Sequence, residues 1–294
     1  MSGWIESYRG SVAVDDVDTT EHLTVSRYYA RFADATLALM EHHGLGIGYM
    51  RDERKGCATV ACKTRYLREF HIGDALHMES ALLQVDGKRL IAGHRVYDSA
   101  TGELTTEMTQ SLLHIDLDRR RALDLPADRQ AALSLADWAE APSFEERPMP
   151  ADSSSFVDSL RDTVKPWEID VVGHMSFQFY VSRFSSAGAQ LFTAMGITPG
   201  WQRAHRRGFS TFDYQLRFLR ELNAGDLVMM KSALLHLGNS SLRILHRLYE
   251  VRSGEISAEL DQSGVLLDLD ARRPARIADE VRVRAQPFVV STGG

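Results

Sequence analysis

A carboxylate, a turn glycine and a histidine stand together at Asp170, Gly173 and His174, in the stretch Trp167-Glu168-Ile169-Asp170-Val171-Val172-Gly173-His174-Met175-Ser176. A carboxylate can attack a carbonyl carbon or take a proton from water. A histidine beside it can orient the carboxylate or hydrogen-bond the carbonyl. Ser176 is a good N-cap for the run that follows. The free N–H groups and positive dipole end of a helix starting there polarise a carbonyl oxygen. Aspartate also pins turns without doing chemistry, so the residue types alone leave both roles open.

A degraded copy lies near the N-terminus, where Asp18 and His22 stand in register with Asp170 and His174. Glu21 replaces Gly173, and Leu23 replaces Met175. The pair belongs to a longer repeat. Shifted by 152 positions, residues 9–121 fall on 161–273 without a gap, and about 40 of roughly 113 positions are identical, far above chance. Arg65-Tyr66-Leu67-Arg68-Glu69 lies on Arg217-Phe218-Leu219-Arg220-Glu221, and Gly73-Asp74 on Gly225-Asp226. A period this long suits a duplicated domain whose copies pack as a pseudo-dimer. The divisions expected are a first repeat over 1–122, a linker rich in Pro, Ala, Ser and Asp over 123–155, a second repeat over 156–275, and a tail over 276–294, loose at its end.

The elements that must position the acids follow from spacing. Each copy opens with a short strand, near Arg9–Val14 and Arg161–Lys165, ahead of the acid loop. One long helix comes next, over Thr24–His43 and Ser176–Met195. Tyr28, Phe32, Ala35 and Leu39 recur at helical intervals, and Tyr180, Phe184, Ala187 and Leu191 match them. Four strands follow in the first copy, over Ala58–Leu67, Ala75–Val85, Leu90–Asp98 and Leu104–Asp116, with turns such as Asp86-Gly87 between them. An antiparallel meander with one face free can wrap that helix, an α+β arrangement.

Composition narrows the function classes. With 44% hydrophobic and 25% charged residues the chain has the makeup of a soluble globular protein, and its net charge of −6 argues against a nucleic-acid binder. The N-terminus lacks the pattern of a signal peptide, and no apolar run is long enough to span a membrane. Cys57 and Cys62 sit five apart in a strand and are expected on opposite faces, with no local disulfide and no metal signature. A cytoplasmic location follows as the expectation.

Strand, acid-bearing loop, long helix and curled meander together resemble the hotdog fold. The loop Glu168-Ile169-Asp170-Val171-Val172-Gly173-His174-Met175, with Tyr180 beyond, is similar to the acyl-CoA and acyl-ACP thioesterases of the 4-hydroxybenzoyl-CoA thioesterase type. The resemblance covers both repeats, so it implies a double hotdog. Many relatives carry Asn soon after the His-Met pair, where this chain has Ser176 and Phe177. By the resemblance Asp170 is the catalytic carboxylate, with His174, Gly173 and Ser176 around it, and Asp18 and His22 form the sister site. Glu21 brings a Cβ and a charge, so the first pocket should admit an acyl-CoA less easily. Thr59 and Thr211 begin matching strands and are candidates to reach the opposite acid loop. Arg203, Arg206 and Arg207, on the loop after the second helix, suit the phosphates of CoA. Tyr180 is a further substrate-binding candidate.

The reaction expected is hydrolysis of an acyl-CoA or acyl-carrier-protein thioester, with no cofactor, no nucleic-acid or membrane partner, and self-association of the double-hotdog chain as an open option. Two alternatives stand beside it. One is a non-catalytic acyl-CoA or acyl-carrier-binding module. The other is an enoyl-CoA hydratase, which the absence of an Asn-Pro-x-His segment after Gly73-Asp74 and Gly225-Asp226 disfavours. His94 and His246, with Arg95 and Arg247, match between copies and suit sheet packing and salt bridges.

Overall fold

A computed structural model describes residues 3–18 and 20–291. The chain divides into two compact units. One comprises residues 1–143 together with 169–178, and the other 144–168 together with 179–294.

In the first unit, β1 (Ile5–Ser11) leads through a 3₁₀ turn at Val14–Asp16 to α1 (Val25–His42). Then come α2 (Ile47–Glu53), β2 (Lys55–Tyr66), β3 (Ala75–Asp86), β4 (Arg89–Asp98), β5 (Leu104–Asp116), the short β6 (Arg121–Ala122) and α3 (Ala127–Ala132). The strand order is β1-β3-β4-β5-β2, antiparallel throughout. The apolar stripe of α1 decides what this sheet covers. Tyr29, Phe32, Ala35 and Leu39 are fully buried, and α1 packs on β1, β3 and β4. Leu39 and Met40 join Leu82, Leu90, Ala92 and Leu112 from the sheet in one cluster.

The second unit repeats the plan. Its strands are β7 (Val157–Thr163), β8 (Arg207–Phe218), β9 (Leu227–Leu237), β10 (Ser241–Glu250), β11 (Ile256–Asp268) and β12 (Arg273–Pro274). Its helices are α4 (Phe177–Ala194), whose first two residues fall in the first unit, α5 (Pro199–His205) and α6 (Asp279–Ala285). The order β7-β9-β10-β11-β8 is again antiparallel. Leu191 of α4 and Met195, in the turn just after it, meet Leu234, Leu242, Ile244 and Leu266 of the sheet.

The β-bulges repeat too. The register slips between Glu6 and Tyr8 and between Asp158 and Leu160, and between Thr59 and Ala61 and at the matching place in β8. A bulge inserts one residue and flips the alternation beyond it. That corrects the reading of the cysteines. Cys57 packs with the cluster around Leu39 and Tyr49. Cys62 shares a face with Thr64, whose hydroxyl meets Tyr29 of α1 at 3.0 Å. Both thiols therefore face the helix; they are free, and burial pushes the Cys57 thiol up to about 12.

Other expectations shift in detail. The opening strands begin four residues earlier than the sequence pattern suggested, and α2 and α5 occupy stretches read as loop. The segment read as a linker is pinned down: Ala136 N–H donates to Leu82 O at 2.8 Å, and Arg65 donates to Glu140 O at 2.6 Å. In the segment read as a tail, α6 stands at the same 152-residue offset from α3, and its Val281 and Ala285 are buried. The expected looseness of the last residues concerns 292–294, outside the described residues. Among the described residues no helix is long and apolar enough to cross a membrane.

Candidate active site

Each acid loop is built on a buried ion pair. Arg31 of α1 donates to Asp16 at 2.6 Å and to Ser11 O at 2.9 Å. Arg183 of α4 donates to Glu168 at 2.7 Å and to Thr163 O at 3.1 Å. The guanidinium thus ties the end of the opening strand, the 3₁₀ turn and the helix into one corner. Asp16 and Glu168 are both buried, and the helix brings an arginine to each. Burial alone would raise the Asp16 pKa, but the Arg31 guanidinium, the Ala13 N–H and Arg27 outweigh it and hold it below the usual range.

Beyond that corner the second loop turns tightly. Asp170 N–H donates to His174 O and Gly173 N–H to Asp170 O, each at 3.0 Å. Val172 N–H donates to Asp170 Oδ1 at 3.0 Å. Gly173 has φ +87°, the left-handed region that glycine enters freely. The loop packs within the first unit. Val172 is buried with Met50, Ile115 and Leu117, Arg120 donates to Val172 O at 2.8 Å, and the Phe177 ring meets Tyr29 at 5.7 Å. Burial raises the Asp170 pKa above the ordinary carboxylate value. The His174 ring and the N–H groups of Val172, His174 and Gly173 pull it back only in part. Ser176 is buried immediately ahead of α4. Asp170, Gly173, His174 and Ser176 are therefore brought together: a half-buried acid of raised pKa stands on a rigid turn at a helix start.

The first loop has the same backbone turn and different chemistry. Asp18 N–H donates to His22 O at 3.1 Å, and Glu21 N–H to Asp18 O at 3.0 Å. Glu21 occupies the left-handed position with φ +67°. Asp18 is exposed, and its Oδ1 accepts from Thr20 N–H at 2.7 Å. His22 Nε2 lies 3.1 Å from Glu69.

The remaining candidates scatter. Thr59 lies mid-strand rather than at a strand start, and its hydroxyl accepts from Gln110 Nε2 at 2.6 Å. Thr211 holds the matching place in β8. Tyr180, expected to touch substrate, is buried with its ring against Phe218 at 5.0 Å, because its helical spacing points it into the core. Arg203 is exposed on α5. Arg206 pairs with Asp270 at 2.9 Å and Arg207 with Asp268 at 2.9 Å, so both guanidinium groups are engaged by carboxylates across the β11–β12 turn.

Sequence reasoning missed Arg120 and a buried polar chain. Ser7 Oγ lies 2.6 Å from Ser80 Oγ, Ser80 Oγ 2.7 Å from His94 Nδ1, and His94 Nε2 3.0 Å from Gln110 Oε1. Thr36 Oγ1 also donates to Gln110 Oε1, at 2.8 Å. The second unit keeps Ser159, Ser232 and His246, with the two serine hydroxyls 2.6 Å apart. It has Gly188 in place of Thr36, and His246 Nε2 is buried without a partner. A Cβ on Gly188 would meet nothing within 4 Å, although the residue is buried. Burial holds His94 down at about 4 and His246 at about 3. The matched His and Ser letters at the 152-residue offset were the available signal for this chain.

The sequence profile of the thioesterase-like superfamily matches residues 12–133 and again 164–284. The chain belongs to the thioesterase-like superfamily. Among curated relatives, this thioesterase-like chain is 34% identical over 145 residues to L-carnitine dehydrogenase/betainyl-CoA thioesterase of Agrobacterium fabrum, covering 49% of this chain and 28% of that protein. It is 29% identical over 133 residues to betainyl-CoA thioesterase of Pseudomonas aeruginosa, covering 45% of this chain and 84% of that protein. It spans well under half the length of the bifunctional relatives it matches. Among solved structures, the 12:0-ACP thioesterase from Umbellularia californica shares the fold at TM-score 0.69 and 13% identity, with 90% of this chain and 94% of that chain covered. The thioesterase-like chain is thus a double hotdog, each repeat a curled antiparallel sheet on one long helix.

Proposed function

We propose that the chain hydrolyses an acyl-CoA or acyl-carrier-protein thioester to the free acid and thiol. Asp170 acts as general base or nucleophile, and the N-terminus of α4 receives the developing oxyanion. The observation that carries this reading is Asp170 itself, a half-buried carboxylate whose pKa burial has raised, in a chain of thioesterase-like family. An ionised carboxylate of raised pKa is the stronger base. Gly173 leaves the loop backbone open to close approach, and His174 supplies a polar ring beside the acid. Ser176 serves the helix start. Arg120 brings a guanidinium to the same loop, where a CoA phosphate suits it. The names of the curated relatives make betainyl-CoA the first substrate to assay. The two free thiols fit a reducing, cytoplasmic setting.

The test is a panel of acyl-CoAs with a thiol reagent. Release of free CoA supports hydrolysis. Binding without release supports the non-catalytic module, and an absorbance change on an enoyl-CoA supports hydration. Asp170→Asn should leave the fold intact and lower turnover by about 10²–10⁴-fold; near-normal turnover by that variant overturns the assignment.

A further inference from the structure

The first repeat carries a cluster that the proposed hydrolysis does not use. His22, Glu69 and His71 offer two ring nitrogens and a carboxylate oxygen, all within 4.8 Å of one another. His22 Nε2 and Glu69 Oε2 are 3.1 Å apart, and the two imidazole rings meet edge to face with centroids at 5.2 Å. The His22 side chain is 11% exposed and that of Glu69 29%, so the cluster is shielded but reachable.

The hydrogen-bond directions around His22 matter more than its distances. Thr20 Oγ1 has one hydrogen and donates it to Asp18 Oδ1 at 2.5 Å. At 3.1 Å from His22 Nδ1 the same oxygen must then accept, which places a proton on Nδ1. In the neutral ring Nε2 consequently turns its lone pair toward the Glu69 carboxylate. Two lone pairs at that separation repel unless positive charge lies between them. A proton on Nε2 would serve this one pair. A divalent ion would serve His71 as well, whose ring converges on the same point. Metal–ligand bonds of about 2.1 Å in a tetrahedral site put neighbouring donors roughly 3.4 Å apart, close to the separation seen for His22 and Glu69. A ligating imidazole whose other nitrogen is fixed by a hydrogen bond is the usual support for such a site. His71 is steadied through its backbone, where Asp74 Oδ2 accepts from its N–H at 2.8 Å.

The second repeat serves as a control. His174, Glu221 and Asn223 occupy the matching positions, so one imidazole is replaced by an amide, a poorer ligand for transition metals. The full set occurs only where the acid loop has lost its glycine.

We propose that His22, Glu69 and His71 bind one divalent transition-metal ion of the zinc class, with Thr20 and Asp18 behind them as the orienting shell. The ion would clip the first acid loop to the β2–β3 connection, where Leu23 N–H already donates to Phe70 O at 2.9 Å.

The full chain, stripped with a chelator and dialysed, is titrated with zinc chloride by calorimetry, with Tm followed in parallel. Uptake of one zinc ion per chain and a rise in Tm are expected, as are visible d–d bands on loading with cobalt(II). His71→Asn copies the second repeat, so it should fold. It should bind zinc about tenfold or more weaker, as should Glu69→Gln. Failure of the wild-type chain to take up zinc, or uptake unchanged in both variants, overturns the proposal. Neither outcome depends on whether the chain hydrolyses thioesters.

Discussion

The two acid loops share a backbone and differ in what surrounds their carboxylates. Both turn on the same pair of hydrogen bonds, Asp18 to His22 and Asp170 to His174, and both hang from a buried arginine of the following helix. Asp170 is half-buried, and its pKa is raised. Asp18 is exposed and occupied by Thr20. Backbone geometry therefore survived duplication while the electrostatics diverged. A turn is preserved by a few hydrogen bonds, whereas a perturbed acid needs a specific low-dielectric neighbourhood; two residues beyond Asp170, Val172 packs with Met50, Ile115 and Leu117.

The sharpest way to break this comparison is to neutralise both acids separately. Asp170→Asn should cost about 10²–10⁴-fold in turnover, and Asp18→Asn no more than about twofold; equal losses in a steady-state hydrolysis assay would mean that both loops do chemistry. Stability should move the other way. A raised carboxylate pKa penalises the folded state above the unfolded value, so Asp170→Asn should be the more stable protein at pH 7. That advantage should fade as pH falls below the ordinary carboxylate range. Urea midpoints at several pH values check it.

The buried histidines extend the comparison inward. His94→Phe removes one hydrogen bond each from Ser80 and Gln110, whereas His246→Phe removes one from Ser232 alone. At about 0.5–1.5 kcal/mol for each hydrogen bond lost, His94→Phe should be the more damaging at neutral pH. Both rings are held neutral, at about 4 and about 3 against 6.5 unfolded. For a histidine depressed in the fold, stability is complete above the unfolded value and is lost as pH falls toward the folded one. His94 should therefore withdraw roughly 3 kcal/mol and His246 roughly 5 kcal/mol between neutrality and strong acid, and the phenylalanine variants should show flatter pH profiles in chemical denaturation.

Smaller effects concern the backbone. Glu21 sits at positive φ, where a non-glycine residue costs roughly 1–2 kcal/mol, so Glu21→Gly should stabilise and Gly173→Ala should destabilise by similar amounts in thermal melts. Gly188→Ala fills open space inside a helix and should gain about 1 kcal/mol. A loss there would mean that the space opposite His246 is not open.

Much of this was written in the chain. Tyr28, Phe32, Ala35 and Leu39 at helical intervals sufficed to place the central helix, because a stripe of that period can be buried in only one way. The 152-residue offset exposed the duplication, and Asp170, Gly173, His174 and Ser176 came together because they are near neighbours on one turn. Contacts made at long range were not legible. Val172 lies 52 residues from Arg120, and nothing local in either segment marks their meeting. The same holds for the Gln110–His94 chain and for His22, Glu69 and His71, which only strand pairing and loop docking assemble. The bulge in β2 carried no sequence signature either, and it reversed the face assigned to Cys62. Sequence by itself determined periodicity, repeat and loop chemistry, which depend on neighbours along the chain. Tertiary structure alone decided which carboxylate is desolvated and which guanidinium is already paired, because burial and charge pairing depend on neighbours in space.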